Sequence, residues 1–170
     1  MQNFIPDMYQ KSIYDIDYKK LKEKGIKCLL FDLDNTLAPY DDATPTDKQL
    51  ELNKKLKEIG FRIYILSNNH QKRTKLYTTT FLVDGYLVLA RKPFVYKIKP
   101  FLKKENIEIT NTILIGDQLL TDIKCANKLG LDSVLVKSIS RKSEKWYTRI
   151  NRLREKRVIS MPYKRYNDMR

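Results

Sequence analysis

Short apolar runs alternate with amphipathic stretches along this chain, and the alternation predicts strands separated by helices. The run from Cys28 to Phe31 is long enough for a buried strand and too short for a typical helix. Similar runs follow at 61–66 (FRIYIL), 86–90 (YLVLA), 112–116 (TILIG) and 133–137 (SVLVK). Between the first two, Leu52, Leu56 and Ile59 recur at helical spacing. Thr46 and Gln49 fit a capping box ahead of them, and Gly60 marks the stop. Further helices are predicted over 18–24 ending at Gly25, from His70 to Thr80, from Lys99 onward with Pro100 in the first turn, and from Asp117 to Gly130. Strand and helix alternate about five times through short connections. That pattern implies a three-layer α/β/α, Rossmann-like fold with a mainly parallel sheet of right-handed βαβ units.

At 170 residues the chain suits a single domain able to bury its own core. Residues 1–24 read as a lead-in packed on the domain, 25–137 as the core, and 138–170 as a basic helix and tail. In that tail Trp146, Ile150 and Leu153 form the apolar side. Cys28 and Cys125 fall in a predicted strand and helix, with no CxxC or Cys/His cluster, so both read as reduced packing residues. The N-terminus lacks a signal-peptide pattern, and no stretch approaches the apolar length of a membrane span. A cytoplasmic location is expected.

Charge changes the picture. The net charge is +14, and residues 137–170 hold 12 Lys or Arg against 3 Asp or Glu. A balance of this sign favours polyanionic partners, either an anionic membrane surface at its inner face or nucleic acid.

The candidate chemistry lies where strands end. Asp32 and Asp34 follow the first run, Ser67 the second, Lys92 the third and Asp117 the fourth. Parallel strands carry their C-terminal ends to one edge of a sheet, so these residues converge on one pocket. Together they match the needs of a transferring phosphoryl group. Asp32 would attack phosphorus, and Asp34 would protonate the departing alkoxide and then activate water. Ser67 and Lys92 would hold the phosphate oxygens. Asp117, with Asp32 and a backbone carbonyl, would bind a hard cation, for which Mg²⁺ is the natural choice. Asp122 would reach the metal or fix Lys92. His70, the one histidine, stands without a second ligand residue beside it and reads as a polar residue in a first helical turn.

FDLDNTL, ILSN, RKP and GDQLLTD resemble the four motifs of the haloacid dehalogenase superfamily of phosphatases. With the flanking NFIPDMY, SIYDID, LIGDQLLTDI, NKLG and WYTRINR, nearly the whole chain resembles the YqeG family of subclass IIIA. That family is related to the mitochondrial phosphatidylglycerophosphate phosphatases. The resemblance implies Asp32, Asp34, Ser67 and Lys92 as catalytic residues. It implies Thr36, Ser67, Asn68 and Lys92 on the substrate, and Asp32, Asp34, Asp117 and Asp122 at a Mg²⁺ site. Relatives often read KPLP where this chain has Val95 in place of the second proline, which leaves Lys97 and Lys99 as rivals to Lys92.

The slot after the first motif is about nine residues and that between Ser67 and Lys92 is 25, too short for the cap domain many superfamily members carry. An open site suits a phosphate monoester on a large or surface-bound carrier, such as a lipid headgroup. Phosphatidylglycerophosphate is the substrate the family resemblance suggests. The competing expectations are an RNA- or ribosome-associated accessory protein using the basic tail, and a phosphatase of a protein or small metabolite. No residue pattern sets an oligomeric state.

Overall fold

The computed structural model describes residues 4–140; the basic helix and tail expected at 138–170 lie almost wholly outside the described residues. Six strands form one parallel sheet: β1 (Met8–Gln10), β2 (Cys28–Phe31), β3 (Arg62–Leu66), β4 (Gly85–Leu87), β5 (Thr112–Gly116) and β6 (Asp132–Val136), in the spatial order β1-β6-β5-β2-β3-β4. Five helices connect or precede them: α1 (Tyr18–Glu23), α2 (Asp47–Ile59), α3 (Gln71–Phe81), α4 (Ile98–Lys104) and α5 (Lys124–Leu129).

The sequence dictates both layers around the sheet. Successive strand residues point to opposite faces. Leu29, Phe31, Ile63, Ile65, Ile113 and Ile115 accordingly pack with Leu21 of α1, Leu56 of α2 and Tyr77 and Phe81 of α3. Cys28, Leu30, Tyr64, Leu66 and Leu114 pack on the other face with Ile98 and Leu102 of α4 and Ala126 and Leu129 of α5. A strand buried on both faces must be apolar throughout, which is why β2, β3 and β5 read as continuous runs.

Local signals set the helix ends. Thr46 Oγ1 accepts from Gln49 N while Gln49 Oε1 accepts from Thr46 N, so the expected capping box is present. Gly60 closes α2 at φ 89°, a left-handed position that glycine adopts without a Cβ penalty.

The structure departs from the apolar pattern in three places. β1 adds a strand within the lead-in, where three residues pair with β6 at the sheet edge in the register Met8–Val134 to Gln10–Val136. The strand expected at 86–90 ends at Leu87, since Leu89 turns through φ 47°. The helix expected from Asp117 instead opens with a π-turn over Leu119–Ile123 before α5.

β2 lies at the centre, with β3 on one side and β5 on the other. The chain leaves β2 towards β3 and later returns to β5, which makes the β2/β5 boundary a topological switch point. In open α/β sheets, ligands bind in the crevice at that point, beyond the C-terminal ends of the strands.

Candidate active site

Phe31 pairs with Ile115 across β2 and β5, and Asp32 N donates to Ile115 O at 2.9 Å. The register therefore places the residues after β2 beside those after β5. Asp32, Asp117 and Asp122 converge with one carboxylate oxygen each within 4.8 Å of the others, and all three are buried. Lys92 enters from the segment after β4. Its Nζ lies 2.6 Å from Asp32 Oδ1 and 2.8 Å from Asp122 Oδ1, and donates to Leu66 O at 2.7 Å.

This cluster is electrostatically tense. Burial pushes the Asp32 carboxyl well above the usual carboxylate range; the Lys92 ammonium opposes that rise, while Asp122, Asp117 and Asp34 reinforce it. For Lys92, burial alone would favour the neutral amine. Attraction to Asp122 and Asp32 outweighs it and holds the ammonium charged, above the ordinary lysine range. One cation thus faces three buried carboxylates. Asp32 Oδ2 is buried without a hydrogen-bond partner among the described residues, and an unpaired buried acceptor of this kind is costly unless a further cation meets it. An all-oxygen set of carboxylates fits a hard divalent ion.

The π-turn explains Asp122. Its wider turn, with Asp122 N and Ile123 N both donating to Gln118 O, brings this carboxylate back over β5, where Oδ2 accepts from Gln118 N at 3.1 Å. A Cβ on Gly116 would lie 2.4 Å from Asp122 Cβ and Cγ, so only glycine allows the approach. Asp122 contacts Lys92, as the fixing role expects, and also belongs to the three-carboxylate cluster, as the metal role expects.

The remaining expected residues divide. Asp34 sits half-buried at the rim, outside the three-carboxylate cluster, and its Oδ2 accepts from Asn69 Nδ2 at 2.8 Å. Ser67, fully buried, accepts from Asn69 N at 3.0 Å. Thr36 Oγ1 is directed at Asp117 Oδ1, 3.5 Å away. Asn68, expected on substrate, receives Lys92 N at 2.8 Å and donates to Lys92 O at 3.1 Å, clamping the backbone that carries the lysine. Lys97 and Lys99, the rival lysines, lie at the start of α4, and Lys92 alone of the three pairs with the carboxylates. Asn69 was missed as a site residue. Its only sequence signal was a polar position after β3, shared with Ser67 and Asn68. His70 is exposed at the N-cap of α3, with no side-chain capping bond.

Comparison with known proteins agrees with this geometry. A family model described as mitochondrial PGP phosphatase matches residues 1–139. A probable phosphatase, YqeG of Bacillus subtilis, is 34% identical over 157 residues, covering 92% of this chain and 90% of the relative. Phosphatidylglycerophosphate phosphatase 1 of Arabidopsis thaliana is 27% identical over 87% of this chain, which spans 45% of that protein. Among solved structures, a predicted HAD-like family hydrolase from Porphyromonas gingivalis superposes with a TM-score of 0.56 at 13% identity, covering 76% of this chain and 98% of that one. The cobalt-bound deoxy-D-mannose-octulosonate 8-phosphate phosphatase of Haemophilus influenzae gives 0.51 at 14% identity, covering 78% and 88%. The chain therefore belongs to the mitochondrial PGP phosphatase family and is a phosphatase with a HAD-like fold.

Proposed function

We propose that the protein hydrolyses a phosphate monoester through an aspartyl-phosphate on Asp32, with Mg²⁺ as cofactor and a lipid-linked phosphate, phosphatidylglycerophosphate, as substrate. The observation that carries this reading is the convergence of Lys92 with Asp32, Asp117 and Asp122 at the β2/β5 switch point, with Asp34 beside it.

One Asp32 oxygen attacks phosphorus as the ester oxygen departs with a proton from Asp34 in its acid form. Asp34, now a carboxylate, takes a proton from the water that attacks the acyl phosphate, which releases phosphate and restores Asp32. Lys92 and the Ser67 hydroxyl hold the non-bridging oxygens, and Asn68 and Asp122 keep Lys92 in place. Asp32 and Asp117 would hold Mg²⁺, which when bound neutralises charge on the phosphoryl oxygens. Thr36 steadies Asp117. The names of the YqeG and Arabidopsis relatives support the phosphatase class and the lipid respectively. The positive balance of the chain supports an anionic membrane as its place of work, as a peripheral protein on the cytoplasmic side. Among the described residues, no helix is long and apolar enough to cross a membrane.

Phosphate release is measured with p-nitrophenyl phosphate and with phosphatidylglycerophosphate in mixed micelles, with Mg²⁺ or EDTA, for wild type and Asp32→Asn. Mg²⁺-dependent release from the lipid, abolished by Asp32→Asn, is expected. Hydrolysis of the small ester alone would overturn the lipid assignment, and full activity in Asp32→Asn would overturn the mechanism.

A further inference from the structure

The segment linking β4 to α4 carries a feature that the chemistry above does not use. Phe94 and Tyr96 are 60% and 57% exposed, although they stand only two and four residues beyond Lys92. Large exposed apolar side chains in sequence with a site are the informative exceptions on a protein surface. The segment does not hang free. Asn68 clamps Lys92 at its start, Phe94 N donates to Arg91 O at 2.8 Å, and Ile98 N and Lys99 N donate to Val95 O as α4 begins. Both rings are presented by a fixed backbone rather than by a tail.

The charge along this segment is of one sign. From Arg91 to Lys104 there are six Lys or Arg and no Asp or Glu. Lys92 is consumed in the site, while Arg91 and Lys99 are exposed and Lys97 is half-buried. From α5, Lys128 is exposed, donates to Pro93 O at 3.3 Å and stands 5.6 Å over the Phe94 ring. Two rings with Val95 between them, set in a collar of basic side chains, suit the boundary between anionic headgroups and acyl chains. The rings enter that boundary and the long lysine stems follow while their ammonium groups remain among phosphates. Stacking of nucleic-acid bases fits less well, because Lys128 already occupies one side of the Phe94 ring.

We propose that Phe94 and Tyr96, with Arg91, Lys97, Lys99 and Lys128, form a docking surface for an anionic lipid bilayer, which brings the phosphate of a membrane-embedded substrate to Lys92. The assignment rests on the lipid-phosphate reading and deepens it, and it places a membrane contact within the core rather than in the C-terminal tail.

The test uses the full chain and vesicles of phosphatidylglycerol with phosphatidylcholine, comparing wild type, the double variant Phe94→Ser/Tyr96→Ser, and Leu76→Ser, an equally exposed apolar residue on α3. Removing two interfacial rings should weaken vesicle binding by about tenfold or more and lower hydrolysis of vesicle-borne phosphatidylglycerophosphate in parallel. Turnover of p-nitrophenyl phosphate should stay unchanged, and Leu76→Ser should behave as wild type. Vesicle binding of the double variant equal to wild type would overturn this surface and leave the lipid reading standing. Absence of lipid hydrolysis by wild type would overturn both.

A second readout avoids any loss of folding in the double variant. With Cys28 and Cys125 buried, Tyr96→Cys offers one accessible thiol for an environment-sensitive fluorophore. A blue shift on anionic vesicles that disappears on pure phosphatidylcholine is expected. No shift on vesicles, or a shift with polyuridylate alone, would overturn the proposal in favour of no contact or of RNA respectively.

Discussion

Lys92→Met removes the ammonium that balances the buried carboxylates while keeping a side chain of similar length. In the wild type, Lys92 Nζ is within 2.8 Å of oxygens from both Asp32 and Asp122, and each of the three side chains is at least nine-tenths buried. Removing one partner from a buried ion pair costs about 3–5 kcal/mol, because the remaining charge stays desolvated and uncompensated. For a chain of this size, about 1 kcal/mol moves the melting temperature by roughly 2–4 °C, so the variant should melt roughly 6–20 °C lower in EDTA at neutral pH. Acid should narrow the difference. The Asp32 carboxyl, already raised by burial, loses the ammonium that opposes the rise, so the folded state binds more protons and gains stability as pH falls through the raised value. Mg²⁺ should also narrow it by supplying positive charge. Differential scanning calorimetry in EDTA at neutral and acid pH, and again with Mg²⁺, measures each effect. A shift of less than about 2 °C at neutral pH, or a deficit that does not shrink in acid, would refute the view that Lys92 compensates these charges.

Gly116→Ala should push Asp122 off Lys92, because the added Cβ meets Asp122 at 2.4 Å; overpacking of this kind costs about 1–3 kcal/mol, read by urea unfolding, and activity should fall with it. Asn69→Ala releases Asp34 from its 2.8 Å bond, so hydrolysis of alkyl phosphates, which need a proton on the leaving oxygen, should fall about tenfold or more while p-nitrophenyl phosphate falls much less. Equal losses on both esters would count against a positioning role for Asn69. In the metal-free wild type, Asp32 has a folded pKa raised mainly by burial, so stability should increase as pH falls from neutrality through that value, and Mg²⁺ should flatten the profile. Thermal melts across a pH series with and without EDTA give the sign directly.

The sequence carried the central strands because burial on both faces demands unbroken apolar runs, and β2, β3 and β5 show them at 28–31, 63–66 and 113–115. It carried the convergence of Asp32, Lys92 and Asp117 because parallel strands share an edge. β1 was illegible: three residues of mixed polarity gain strand geometry only from their pairing with β6. The π-turn was illegible too, since Leu119–Leu129 has an ordinary helical pattern and the close approach of Asp122 to Gly116 that accompanies the wider turn is a tertiary contact. Asn68 and Asn69 look identical in sequence. The turn after Ser67 sends one towards the Lys92 backbone and the other to Asp34, a distinction that depends on the segment returning from β4.

Detection of the phosphoryl group on Asp32 tests the account most directly. Enzyme turning over substrate with Mg²⁺ is quenched in acid, reduced with borohydride and digested, and the peptide containing residues 28–34 is sequenced by mass spectrometry. Reduction of an acyl phosphate turns aspartate into homoserine, and the account predicts that conversion at position 32, dependent on both substrate and Mg²⁺. Conversion at another carboxylate, with Asp32 unchanged under turnover, would contradict it.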